Sequence, residues 1–237
     1  MKTGPRTLEQ LDRLANQWQQ SEHIVISGPT GSGKTTLARR LCQIRMNKGG
    51  YAIVFVCKIR DDPTIKKEYG DFVRWEKMKR RPKRGENGVL LWPDLRGLSA
   101  RDAVKRQREV FQDAWDRIST QGRWTVQTDE ALYMCDPRFM NLDRELGMSH
   151  YLGRSAAVSN IVLTQRPAYI PVVVYGSAAH AFVGRTREPM DLRRLQHLGG
   201  VNTAKENAAL ISANGRRDFL WVPVATDAPP ERLNLAA

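Results

Sequence analysis

The chain is short of cysteine, of acid and of long apolar runs, and each shortage excludes something. Cys42, Cys57 and Cys135 are the only cysteines among 237 residues. They are too few and too scattered for a disulfide framework or a thiolate zinc site, and read as reduced, buried thiols. The most apolar stretch, Tyr169 to Gly184, is interrupted by Pro171, Gly176 and His180 and is too short to cross a bilayer. No signal sequence is recognisable at the N-terminus, so a soluble, cytoplasmic protein is expected. No internal repeat or low-complexity block is visible. Acid is outnumbered, with 25 Asp and Glu against 38 Lys and Arg, a formal net charge of +13. An excess of that size attracts polyanions, of which nucleic acid is the usual one; a ribosomal or membrane-surface contact is the alternative.

What is present starts with His23-Ile24-Val25-Ile26-Ser27, an apolar strand, followed by Gly28-Pro29-Thr30-Gly31-Ser32-Gly33-Lys34-Thr35-Thr36. Gly28, Gly33, Lys34 and Thr35 fill every fixed position of G-x-x-x-x-G-K-[ST], between a strand and an amphipathic helix. The glycines let successive N–H groups converge on phosphate oxygens. Lys34 places a cation on the β and γ phosphates, and the Thr35 hydroxyl is a hard oxygen ligand for Mg²⁺. The pattern predicts binding of a nucleoside triphosphate, with residues 28 to 36 as the ATP-binding loop. No Leu-Ser-Gly-Gly-Gln stretch occurs, which disfavours a transporter subunit of the ABC type.

Apolar spacing predicts a helix from Thr7 to Gln20, a helix from Thr35 to about Asn47, and a central strand from Tyr51 to Cys57. The next stretch, about 58–96, is irregular and basic. Lys77, Lys79, Arg80, Arg81, Lys83 and Arg84, flanked by Trp75 and Trp92, are candidates for gripping a DNA backbone; the alternative is a solvated loop. Further strands are expected at 89–92, 124–130, 157–165, 180–184 and 218–222. Helices are expected at 99–119, 190–198 and 203–211, with a polar tail from Asp227. The alternation predicts an α/β fold of the RecA-like P-loop type, a doubly wound, mostly parallel sheet flanked by helices. We divide the chain into an N-terminal helical segment (1–21), an ATPase domain (22–226) and a tail (227–237).

The strand Trp124-Thr-Val-Gln-Thr ends in Asp129-Glu130. An acidic pair there fits a Walker B site, in which Asp129 holds the Mg²⁺ shell and Glu130 polarises the attacking water. The strand that follows ends in Thr164-Gln165-Arg166-Pro167, where a polar residue beside the P-loop strand can touch the γ-phosphate. Together these motifs resemble the FtsK/HerA superfamily of DNA-pumping ATPases, whose sensor strand ends in a similar Thr-Gln-Arg-Pro. Arg154-Ser155-Ala156-Ala157 is similar to the Arg-Ala-Ala-Gly stretch that precedes that strand, although it departs from the glycine ending. The resemblance runs over about residues 22–222, and the compact length is similar to the family's viral genome-packaging members.

The resemblance implies ATP and Mg²⁺ as cofactors, double-stranded DNA as partner, and a ring, a hexamer, threading DNA toward a capsid vertex or portal protein. It makes Gln165 the γ-phosphate sensor and Arg154 the arginine finger for a neighbour's ATP, with Arg185 and Arg187 as fallbacks; a plain helix-end ion pair is the structural alternative for Arg154. The other functions to weigh are a conjugation or segregation pump, a nucleotide-switch assembly factor, and a small-molecule kinase.

Overall fold

The computed structural model describes residues 6–83, 85–198, 204–226 and 228–236. Arg84 of the basic segment and Thr203, the expected start of one helix, lie outside them. The elements run α1 (Leu8–Ala15), β1 (His23–Ser27), α2 (Lys34–Asn47), β2 (Tyr51–Phe55), α3 (Pro63–Glu68), β3 (Val73–Trp75), β4 (Gly88–Leu91), α4 (Ala100–Gln121), β5 (Trp124–Thr128) and α5 (Ala131–Cys135). They continue with α6 (Asp143–Leu152), β6 (Ser159–Thr164), α7 (Val172–Gly176), β7 (Ala178–Gly184), α8 (Pro189–Leu195), α9 (Ala204–Ala213), β8 (Asp218–Val222) and β9 (Glu231–Asn234).

These strands form one nine-stranded sheet in the order β3-β4-β2-β5-β6-β1-β7-β8-β9. β3 through β7 in that order pair in parallel, while β8 runs antiparallel to both β7 and β9. Successive strand residues face opposite sides of the sheet. Ile24 and Ile26 pack toward α1 and α2 with Leu37, Leu41 and Leu163, whereas Val25 packs on the other side with Phe111, Trp115 and Val162. Helices cover both faces, which is why β1, β5, β6 and β7 are buried along their whole length and read as near-continuous apolar runs.

Gln127 and Thr128 interrupt that apolarity in β5. Gln127 is fully buried, and its Oε1 accepts from the Tyr69 hydroxyl at 2.7 Å, a partner arriving from just beyond α3, while its Nε2 has no hydrogen-bond partner among the described residues. The expected helix at the N-terminus stops at Ala15, capped at its start by a reciprocal Thr7–Gln10 box. The expected polar tail contains a strand instead, since β9 pairs with β8 and buries Leu233 and Leu235. Two apolar side chains on an otherwise polar edge suffice for that. No helix among the described residues is long and apolar enough to cross a membrane.

Candidate active site

In a doubly wound sheet, ligands bind beyond the carboxyl ends of the parallel strands. The loop from Gly28 to Gly33 leaves the carboxyl end of β1 and turns into α2. Gly31 and Gly33 have φ of +77° and +94°, in the region that favours glycine. A Cβ on Gly33 would also sit 2.6 Å from Leu235 Cδ1, which would have to move aside. Lys34 Nζ donates to the loop carbonyls of Gly28 (2.8 Å) and Pro29 (2.9 Å). Its ammonium is pulled below its usual range by burial, against which the carboxylates of Glu130 and Asp129 act. Thr36 Oγ1 donates to Glu68 at 3.0 Å, fastening the start of α2 to the end of α3.

Asp129 and Glu130 leave the end of β5 beside this loop. The Asp129 carboxyl is buried and pushed up to about 6, chiefly by desolvation, with Lys58 opposing and Glu130 adding to the rise. Lys58 Nζ stands 3.8 Å from Asp129 Oδ2. That oxygen, Glu130 Oε1 and Ser32 Oγ are buried without a hydrogen-bond partner among the described residues. Gln165, at the end of β6, closes the centre. Thr30 Oγ1 donates to Gln165 Oε1 at 2.8 Å, and Gln165 Nε2 donates to Glu130 Oε2 at 3.1 Å. One side chain therefore joins the loop after β1, the end of β6 and the acidic pair. The next residues are anchored behind it. The buried Asp191 of α8 accepts from Arg166 Nε at 3.0 Å and from the Ala168 N–H at 2.9 Å.

Thr30, Gly31, Lys34, Thr35, Asp129, Glu130 and Gln165 line one cleft of about 590 Å³, together with Lys58, Arg216 and Arg217. Its size suits a nucleotide. Mg²⁺ is held by one or two carboxylates and substrate phosphates rather than by an all-protein cage. The donor set fits that description: Thr35 and Asp129 would hold the ion, and Asp129 presents a buried oxygen still in need of a partner. Among the described residues no cluster of three or more His, Cys, Asp or Glu could form a cage of its own.

Two other groups of residues lie elsewhere. Arg154 is exposed between α6 and β6, at the amino edge of the sheet, opposite its own P-loop. Arg185 and Arg187 follow β7 at the carboxyl edge and line a second cleft of about 610 Å³ with Pro29, Thr30 and Gln165. The basic segment also runs along the amino edge, between β3 and β4. Lys79 Nζ sits 5.4 Å from the Trp75 ring and Arg81 5.2 Å from the Tyr51 ring; Arg81 also donates to the Gln121 carbonyl at the end of α4. Lys77, Lys79, Arg80, Arg81 and Lys83 are all exposed, on a loop whose backbone is tied down. Trp92 is buried and donates to the Lys58 carbonyl at 3.0 Å, so it is a core residue and not part of a DNA-facing surface.

Sequence reasoning missed Lys58, Arg216, Arg217 and Asp191. Lys58 carried a readable signal, as the first charge after the apolar run of β2. The other three reach the site only through the order and direction of the strands.

The architecture and this loop define a P-loop NTPase fold. The chain is similar to B204, the DNA-packaging ATPase from Sulfolobus turreted icosahedral virus, at 17% identity and a TM-score of 0.62, over 92% of this chain and 99% of that one. The genome-packaging NTPase B204 of Sulfolobus turreted icosahedral virus 2, in complex with ATP-gammaS, matches at 15% identity and a TM-score of 0.61, over 92% and 99%. VirB4 of Thermoanaerobacter pseudethanolicus matches at 13% identity and a TM-score of 0.66, over 91% and 89%. At these identities the likeness is one of fold. The family model described as novel STAND NTPase 3 matches residues 7–70, the stretch around the phosphate loop. No curated protein matches.

Proposed function

We propose that this chain hydrolyses ATP to drive double-stranded DNA through a ring of identical subunits, a hexamer, as a viral genome-packaging motor working against a capsid vertex or portal. The observation that carries the reading is the chain of hydrogen bonds from Thr30 through Gln165 to Glu130. It couples the group that meets the γ-phosphate to the base that would activate water, so loss of the phosphate is felt at the base and along the sensor loop. Lys34 and the loop N–H groups bind the phosphates. Glu130 accepts the proton of the attacking water, and Gln165 orients that water or the γ-phosphate. Thr35 and Asp129 would hold a Mg²⁺ ion, which when bound would offset the charge that develops on the phosphates. Because Arg154 faces away from its own cleft, its role as a finger belongs to the neighbour's nucleotide, with Arg185 and Arg187 as alternatives. The exposed cations of 77–83 grip the DNA backbone without reading bases.

The test is ATP hydrolysis with and without long double-stranded DNA, at low and moderate salt. Strong stimulation that fades with salt is expected. Slow hydrolysis indifferent to DNA would favour a nucleotide-switch assembly factor.

A further inference from the structure

Nothing in the P-loop motif accounts for the two arginines that share its cleft. Arg216 and Arg217 lie in the turn between α9 and β8. Because β8 alone runs antiparallel to β7, its first residues fall at the carboxyl edge of the sheet, where the parallel strands end. This turn thereby meets the phosphate loop from the side opposite Asp129 and Glu130, whose strand lies two places beyond β1 in the other direction. Arg216 Nη2 would be 3.1 Å from a Cβ on Gly31, and Arg217 Nε 4.0 Å from one on Gly33. Both guanidiniums overlie the glycines of the loop.

The backbone of the turn is firmly held. The buried Asn214 donates to the Val183 carbonyl at 2.9 Å, the Gly215 N–H donates to Asp218 at 3.0 Å, and the Leu235 N–H donates to the Arg217 carbonyl at 3.1 Å. The side chains, by contrast, are exposed and make no hydrogen bond or ion pair with a described residue. Two guanidiniums without an ion-pair partner, on the side of the cleft away from Asp129 and Glu130 and sharing it with Lys34 and Lys58, are placed to receive an anion. A planar fork of donors fits phosphate oxygens, and a rigid turn carrying them needs little ordering on binding.

We propose that Arg216 and Arg217 form a second, same-chain grip on the phosphate chain of the bound nucleotide, across the loop from the metal-binding carboxylate. The proposal rests on the reading of this cleft as an ATP site and adds the residues that select for phosphate number.

The experiment is calorimetric titration of wild-type protein, Arg216→Ala, Arg217→Ala and the double variant with ADP and with AMP. The double variant is expected to bind ADP at least tenfold more weakly while AMP affinity changes less than threefold. Each single variant should fall between it and wild type. Arg216→Lys with Arg217→Lys should recover part of the loss, since charge returns without the fork. The ligand-free double variant should melt at the wild-type temperature, because neither side chain packs against a partner, and its ADP-induced rise in Tm should shrink. Unchanged ADP affinity in the double variant, with wild type binding normally, overturns the grip and leaves the ATP site standing. Equal loss for ADP and AMP overturns the assignment to the phosphate chain. Wild-type protein that binds neither nucleotide overturns the ATP site and the grip together.

Discussion

The two edges of the sheet differ in which polar groups they leave without a partner and in what surrounds them. At the carboxyl edge, Asp129 Oδ2, Glu130 Oε1 and Ser32 Oγ are buried without a hydrogen-bond partner among the described residues, and Arg216 and Arg217 stand unpaired above the loop. At the amino edge several cations are engaged, although Arg45 Nη2, His150 Nε2 and both ring nitrogens of His180 are likewise buried without a hydrogen-bond partner among the described residues. Lys79 and Arg81 rest on aromatic rings, and the buried Arg45 donates to the carbonyls of Trp18 and Gln19. Three histidines are buried below. His23 lies against His150 at 4.4 Å between ring centroids, and His180 stacks on Trp18 at 3.6 Å. Folded proteins satisfy nearly all their buried polar groups. At the carboxyl edge the unpartnered carboxylate oxygens of Asp129 and Glu130 border an open cleft that a ligand can enter, whereas at the amino edge the unpartnered nitrogens belong to side chains enclosed in the core.

The sharpest way to break that contrast is to neutralise the base. Glu130→Gln keeps the hydrogen-bonding shape beside Gln165 but cannot take up the proton of water. Turnover should fall by about 10² to 10⁴-fold while ATP remains bound, measured by steady-state hydrolysis and by nucleotide retained on the protein. A variant that loses nucleotide yet turns over normally at saturation would show that the two carboxylates have exchanged roles.

A smaller effect is expected from acid at the amino edge. Burial lowers His23 to about 4, and His150 and His180 each to about 3, from an ordinary value of 6.5. Through these three histidines the unfolded chain binds more protons than the folded one below about pH 6.5; this outweighs the single opposing carboxyl of Asp129, raised to about 6, so stability falls as pH drops toward 4. The His23 shift alone corresponds to roughly 3 kcal/mol. Melting temperature should decline steadily from pH 7 to pH 4.5, and His23→Gln should shallow the decline. A flat profile would mean that the histidines are not held neutral.

The smallest effect concerns the basic segment. Replacing Lys77, Lys79, Arg80 and Lys83 by Ser should weaken DNA binding and flatten the dependence of log K on log salt, by about 0.9 for each phosphate no longer neutralised. Lys79 should contribute less than Arg80, because its ammonium is already engaged by Trp75. An unchanged slope would mark the segment as a solvated loop.

Which parts of this were legible in the sequence follows from chain distance. The phosphate loop is a contiguous string whose chemistry is fixed by spacing, so Gly28, Gly33, Lys34 and Thr35 could be read directly. Asp129, Glu130 and Gln165 were legible because each ends a strand, and strand ends in a parallel sheet share one edge. Asp191, Arg216 and Arg217 were not. Their place depends on α8 packing behind the sensor loop and on the reversal of β8, neither of which leaves a local pattern. The short elements were hidden for a related reason: α3, α5 and α7 have five or six residues each, less than two turns, and show no helical period. β9 was masked by its charged and polar composition, since Leu233 is its one buried residue.

The central claim, that the carboxyl edge is an ATP site built on Lys34, is tested most directly by equilibrium binding of ATP to wild-type protein and to Lys34→Ala. The account predicts that wild type binds and that Lys34→Ala binds roughly a hundredfold more weakly, the order expected on removing one charge-assisted hydrogen bond in a partly buried cleft. Equal affinity in the two proteins would contradict it.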